Sequence, residues 1–243
     1  MSKADLLLEA IGDIDAELIP NLESKEKSGN KRKWFIVIST ATVAALAVIV
    51  YILFFMPLGD KTVKYDSFAL STELPNEHIE ACFAINVYNP PTLIGFSDYV
   101  FVAKVEEELR TEYHNLIRRE FGRVTGTPYT FYSITVVDNI KGNLKKNVPI
   151  EMKKQGGVNY DQSSISTFEG DVMLEPGKYY IFIANGQSDG SLKQSEVNSA
   201  IKLTVSSEDE ISECKEYVAY KEYAANEIYY ERERSHSIYE EES

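Results

Sequence analysis

The chain has 243 residues, 44% of them hydrophobic, and carries 25 Lys and Arg against 38 Asp and Glu, for a formal charge of −13. Residues 1–33 hold six cations and seven acids, residues 34–58 hold no charge, and residues 59–243 hold 19 against 31. An acidic surplus of that size in the largest part excludes nucleic acid as a partner, because phosphate binding needs excess Lys and Arg, and it argues against tight docking of the domain on an anionic lipid surface.

Lys3 to Ile19 reads as a short amphipathic helix. Leu7, Ile11, Ile14 and Leu18 recur at helical spacing, opposite Asp5, Glu9, Asp13 and Asp15. Pro20 ends it, and a polar linker runs to Lys33. A helix this short is marginal alone in water, so its apolar stripe requires a partner, and its acidic face favours a protein over a lipid surface. Trp34 to Leu58 is then an uncharged apolar run directly after Lys31, Arg32 and Lys33. About 20 such residues cross a bilayer core as a helix. The basic cluster keeps the N-terminus in the cytoplasm and sends residues 59–243 outside. The run is too long, and its leader too long, for a cleaved signal peptide.

Residues 59–96 form an extracytoplasmic lead-in with Pro75, Pro90 and Pro91, expected as extended chain with one helical turn near residues 76–84. Residues 97–205 are a β region. Tyr99 to Val105 alternates as a strand, while charged Glu106 to Arg119 fits either a strand extension or a helical insert. Tyr129 to Val137 is rich in β-branched and aromatic residues, and Val148, Ile150 and Met152 alternate in a third strand. Pro176-Gly177 marks a turn. Lys178 to Ala184 is nearly all apolar, so it is a strand buried on both faces. Asn159 to Gly170 and Ser188 to Ser195 read as polar loops. Ala200 to Val205 is a last short strand. The expected fold is mainly β, α+β overall: a small barrel outside, one transmembrane helix, a short N-terminal helix and a C-terminal helix within residues 206–243.

In that last segment Ile211, Cys214, Val218, Ala225 and Ile228 line a helical stripe over residues 208–234. Its tyrosines are either packing groups against the barrel or a partner-binding patch. Residues 235–243 read as a disordered acidic tail. Cys82 and Cys214 flank the β region, where a disulfide would tie the domain's ends; the alternative is two small apolar residues.

The motifs exclude several chemistries. His78, His114 and His236 stand apart in polar stretches, with no H-E-x-x-H or C-x-x-C spacing. No G-x-S-x-G setting and no phosphate-binding glycine loop exists. No cofactor is expected. Two classes remain: a non-enzymatic binding or sensor module, or an envelope hydrolase working through paired carboxylates.

The stretch from Asp98 to Val105, then Tyr129 to Val137, Ile140-Lys141-Gly142-Asn143-Leu144, Gly156-Gly157, and Leu174 to Phe182 with its Pro-Gly-Lys-Tyr turn resembles bacterial relatives of the netrin/TIMP-like OB-fold. The resemblance covers roughly Ser97 to Val205 and implies an OB-like barrel that binds ligand with a strand face and loops. The animal inhibitors of that group open on a disulfide-bonded Cys that chelates a protease metal; here the chain continues N-terminally of Cys82 into the apolar run. Leu6 to Asp15, followed by a basic linker and one span, resembles the N-termini of Firmicute membrane-anchored proteins, some of them anti-sigma-like. That implies a cytoplasmic protein partner, without the His/Cys motif of the zinc-binding anti-sigma domain. The expected partners are thus the lipid bilayer, an extracytoplasmic ligand or protein, and a cytoplasmic protein.

Overall fold

The computed structural model describes residues 61–195 and 197–241, all within one folded unit. The expected helix at Lys3 to Ile19 and the run at Trp34 to Leu58 lie outside the described residues. Among the described residues, no helix is long and apolar enough to cross a membrane.

The described residues form ten strands: β1 Lys61–Val63, β2 Asn76–Ile79, β3 Tyr99–Arg118, β4 Val124–Lys141, β5 Pro149–Gln155, β6 Gly157–Val158, β7 Ile165–Phe168, β8 Tyr179–Gly186, β9 Leu192–Gln194 and β10 Ala200–Lys202. The helices are α1 Ser67–Leu70, α2 Pro90–Phe96 and α3 Lys215–Ala225. Strands β3, β4, β5, β9 and β8 follow one another around a closed barrel, because β8 also pairs with β3. The β5–β9 pair is parallel and its neighbours around the barrel are antiparallel. The closed five-strand barrel is consistent with an OB-like fold. Strands β2, β7 and β6 make a separate three-stranded sheet.

Alternation along β3 and β8 divides two cores. Tyr99, Phe101, Ala103, Val105, Tyr180, Phe182 and Ala184 join Tyr132, Ile134, Val136, Ile150, Met152 and Leu192 inside the barrel. Val100, Val102, Tyr179, Ile181 and Ile183 face outward and are covered by Leu93 and Ile94 of α2 together with Ile211 and Tyr217. Lys178 to Ala184 therefore reads apolar throughout because both of its faces are buried.

Strand β3 runs 20 residues and β4 runs 18, far beyond a common strand length. Their pairing carries five register irregularities, which bend the long hairpin enough for its base to close into a barrel. Glu106 to Arg119 thus continues as strand up to Arg118.

Several sequence expectations change. Residues 76–84 form β2 and a following irregular segment, not a helical turn; the helix of the lead-in lies instead at α2, where Asn89 accepts from the Thr92 amide at 3.0 Å and two prolines open the first turn. Ser188 to Ser195 contains β9, and Asn159 to Gly170 contains β7. The C-terminal helix is only 11 residues long. Val218 is 54% exposed while Tyr217 is buried and donates to Asp138 at 2.6 Å, so the buried stripe is set by Tyr217 and its neighbours Tyr220 and Tyr223.

Candidate functional site

After α3 the chain does not fray. It runs without regular structure as a strap across the barrel end where β3 begins and β4 ends. The Ile228 amide donates to the Pro91 carbonyl at 3.0 Å, and Arg232 Nε donates to the Phe96 carbonyl at 2.6 Å. Both Arg232 and Arg234 then converge on Oδ1 of Asp98, at 2.7 and 2.9 Å. The Asp98 side chain is 8% exposed, and its other oxygen accepts from the Gly186 amide at 3.1 Å. A carboxylate this buried requires such compensation, and the planar guanidinium fork provides it. Backbone lies directly on backbone here. A Cβ on Gly95 would stand 1.8 Å from the Ile228 carbonyl oxygen, and one on Gly186 2.2 Å from that of Ser235.

The strap ends against Tyr99. Its hydroxyl donates to Glu240 at 2.5 Å and accepts from the Ser237 amide at 2.8 Å. Burial first, and then the Glu240 contact, push the Tyr99 phenol well above its ordinary range. Lys145 donates its amide to the Tyr239 carbonyl at 2.8 Å, and Glu240 bridges Leu144. The tail expected to be disordered is therefore ordered as far as residue 241, because buried Ser237 and half-buried Tyr239 anchor it.

Strap and barrel together wall a cleft of about 380 Å³. Asp98, Tyr99, Lys141, Glu227, Arg234, His236 and Glu240 line it. Lys141 bonds Glu227 and the Ile94 carbonyl, and His236 Nδ1 sits 3.1 Å from both oxygens of Glu240. Both signs of charge thus face one space, each held by an internal partner. The volume falls in the range of small-molecule sites.

The outer face of β4 and β5 is closed by its own contacts. Arg110 forms a bidentate pair with Glu151 at 2.5 and 2.9 Å, bonds Glu112 at 2.6 Å, and lies 4.0 Å over the Phe131 ring. Few donors remain free there for a ligand. Within the barrel, Glu108 is 7% exposed and accepts from both the amide and the hydroxyl of Ser67, at 2.8 and 2.7 Å. Desolvation nevertheless raises its pKa to about 7. Its cross-strand neighbour Tyr132 has a fully buried hydroxyl that faces the Leu174 backbone. Lys154 is buried with Asp171, and desolvation lowers its pKa against the pull of that carboxylate.

The sequence candidates are dispersed. Cys82 is exposed beside the small sheet, and Cys214 is half-buried at the start of α3, its thiol 2.9 Å from a Glu216 oxygen; neither is bonded to the other in the structure. Leu7, Ile11, Ile14 and Leu18 lie outside the described residues. His78 and His236 are exposed, and His114 stacks edge-on against Tyr129. Among the described residues no three His, Cys, Asp or Glu side chains come together as a metal site. A second cleft of about 430 Å³ adjoins Asn159 to Gly170, lined by Phe83, Tyr88 and Phe168 with Glu80 and Glu169. Sequence reasoning missed Asp98, Arg232 and Arg234. The one available signal was the pair of arginines in Glu231-Arg232-Glu233-Arg234, set in a segment that matched helix only loosely. No protein-family model matches this chain, and no curated protein matches it.

Proposed function

We propose that the chain is a single-pass membrane protein whose OB-like barrel stands outside the membrane as a binding or sensor module. The strap cleft takes a small polar ligand bearing both signs of charge. The helix carrying Leu7, Ile11, Ile14 and Leu18 engages a cytoplasmic protein. The anchor rests on the uncharged run at residues 34–58 behind its basic triplet. The observation that carries the binding reading is the cleft itself: its carboxylates and cations pair with each other, so a zwitterionic ligand can exchange one set of partners for another without leaving a buried charge alone. Binding fits this arrangement better than carboxylate hydrolysis, because Asp98 is held by two arginines and Glu227 by Lys141. The OB-like and netrin/TIMP-like readings draw support from the strand order, with its parallel β5–β9 pair, and from the motifs between Ser97 and Val205.

The test is photocrosslinking in native membranes from two positions of the full chain, Asn143 on the cleft rim and Lys178 on the turn before β8. A small-molecule adduct from Asn143 alone supports the cleft. Equal labelling from both positions, or none from Asn143, refutes it. Deleting residues 3–19 is expected to abolish recovery of a cytoplasmic partner while membrane insertion persists; unchanged recovery removes the helix as the contact.

A further inference from the structure

The β3–β4 hairpin outruns the barrel. Pairing of β3 with β8 ends at Lys104, and pairing of β4 with β5 begins at Thr130. Beyond Thr111 and Thr130 the two strands continue as a ribbon to Arg118 and Val124, flanked at its base by β1, where Lys61 faces Tyr113, and on the β4 side by Gly156 and the segment that carries Tyr160 and Asp161. Four residue steps along β4, from Pro128 opposite Tyr113 to Val124, carry the tip roughly 13 Å past that level, since β3 is bulged between His114 and Ile117.

The tip's composition departs from that of the domain. Residues 114–125 hold three Arg and one Glu, within a segment (residues 59–243) that carries 19 cations against 31 acids. Ile117 is 49% exposed, with Leu116 and Val124 half-buried beside it. Arg119 is exposed, and Arg123 keeps 66% of its side chain in solvent while pairing with Asp161 at 3.2 Å. On the same flank the Lys61 ammonium lies 4.4 Å over the Tyr160 ring, which shares a groove with Arg123. Exposed apolar, aromatic and cationic groups together are the composition of a bilayer interface.

Strand β1 is antiparallel to β3, so the direction from which the chain enters β1 is the direction in which the hairpin leaves the barrel. Three residue steps separate Leu58, the end of the apolar run, from Lys61, which limits the link to about 11 Å. We infer that the β3–β4 tip is a lipid-docking element, with Ile117 at the headgroup–acyl boundary and Arg118, Arg119 and Arg123 on the phosphates of anionic lipids. This inference rests on the membrane-anchored reading above. Glu120, Glu77 and Asp161 stand at the tip itself, Asp161 paired with Arg123, while acids farther than about 8–10 Å from the tip are screened at physiological salt. The anchor also holds the tip at high effective concentration, so a weak contact is enough.

The test uses the full chain with Cys82→Ser and Cys214→Ser, reconstituted at high dilution in phosphatidylcholine vesicles containing one-fifth phosphatidylglycerol. An environment-sensitive fluorophore is placed in turn at Ala45→Cys, Ile117→Cys and Ser188→Cys, and quenched by brominated lipids. Deep quenching is expected at Ala45, shallow quenching at Ile117 and none at Ser188, which lies at the opposite end of the barrel. Quenching at Ala45 with Ile117 as water-exposed as Ser188 overturns the docking inference and leaves the anchor standing. No quenching at Ala45 overturns the anchor and the docking with it. Arg118→Glu with Arg119→Glu is expected to weaken the Ile117 contact by roughly fivefold per lost arginine. An unchanged signal refutes the phosphate contacts. An Ile117 label that is shielded in native membranes but wet in vesicles assigns the tip to a protein and overturns lipid docking.

Discussion

Raising the pH through neutrality should weaken this fold through one carboxyl group. Glu108 lies across from Tyr132 inside the barrel, 7% exposed, and burial raises its pKa from 4.5 to about 7 despite two hydrogen bonds from Ser67 that favour the ionised form. The folded state therefore holds a proton that the unfolded chain has already released. The stabilisation is complete below pH 4.5 and is lost as pH rises through 7. Moving the carboxyl from 4.5 to about 7 corresponds to roughly 3 kcal/mol. The exposed Asp161 and Asp189 and the half-buried Glu175 and Glu216 shift downward through hydrogen bonds from Ser163, Ser191, Lys202 and Cys214 respectively, and they act in the opposite sense only in acid. The two windows are separate. Glu108→Gln keeps the shape of the neutral carboxyl and cannot ionise. Urea unfolding of the full chain in mild detergent, followed by tyrosine circular dichroism at pH 5, 6, 7 and 8, compares the two proteins. Any other group titrating in this range is common to both and cancels in the difference. The variant should match its parent at pH 5 to within about 1 kcal/mol, as one altered hydrogen bond allows, and exceed it by about 2–3 kcal/mol at pH 8. Parallel loss of stability in both proteins would refute the assignment.

Lys154→Met leaves Asp171 buried without its cation and should cost about 3–5 kcal/mol in the same unfolding assay, while adding Asp171→Leu should recover most of the loss; no recovery would mean the pair acts through something other than its charges. Asp98→Ala and Gly186→Ala should each release the strap, by removing its ionic anchor and by obstructing the Ser235 carbonyl respectively, and the measurable result is faster tryptic cleavage at Arg232 and Arg234 with α3 intact. Tyr217, whose hydroxyl is pushed up to about 12 by burial and by Asp138, should lose about 1.5–3 kcal/mol on replacement by Phe, because Asp138 is a charged acceptor; an unchanged urea midpoint would show that water replaces the contact at no cost.

The parts of this fold legible in the sequence are those whose partners repeat a local period. Lys178 to Ala184 announces a strand buried on two faces, and alternation at Tyr99 to Val105 separates the barrel interior from the layer under α2 and α3. Beyond Val105 the same strand becomes unreadable. Glu108, Thr111 and Tyr113 are all buried although their spacing is not uniformly two. Register shifts between Val105 and Glu107 and between Glu108 and Arg110 move the phase, so a strict period of two must fail there. Strand β9 was hidden for a different reason: its three residues offer one apolar side chain, Leu192, which is too little pattern to detect.

The candidate site was least legible because its contacts are distant in the chain. Asp98 meets Arg234 across 136 positions, and nothing near either residue marks the other. The same sorting explains why net charge is a poor guide to this surface. Several cations are spent on partners within the fold: Lys154 on Asp171 inside the barrel, Arg110 on Glu151 and Phe131 on the outer face, Arg232 and Arg234 on Asp98. Each neutralises an acid that the sum had counted as surface. The acidic excess therefore belongs to the outer face more than to the interior, and a cluster such as Arg118, Arg119 and Arg123 stands out against it. Stability cannot account for that cluster, since exposed ion pairs contribute about 0–1 kcal/mol. Under the membrane-anchored reading proposed above, its placement at the end of a hairpin that outruns the barrel makes contact with a surface the more economical explanation.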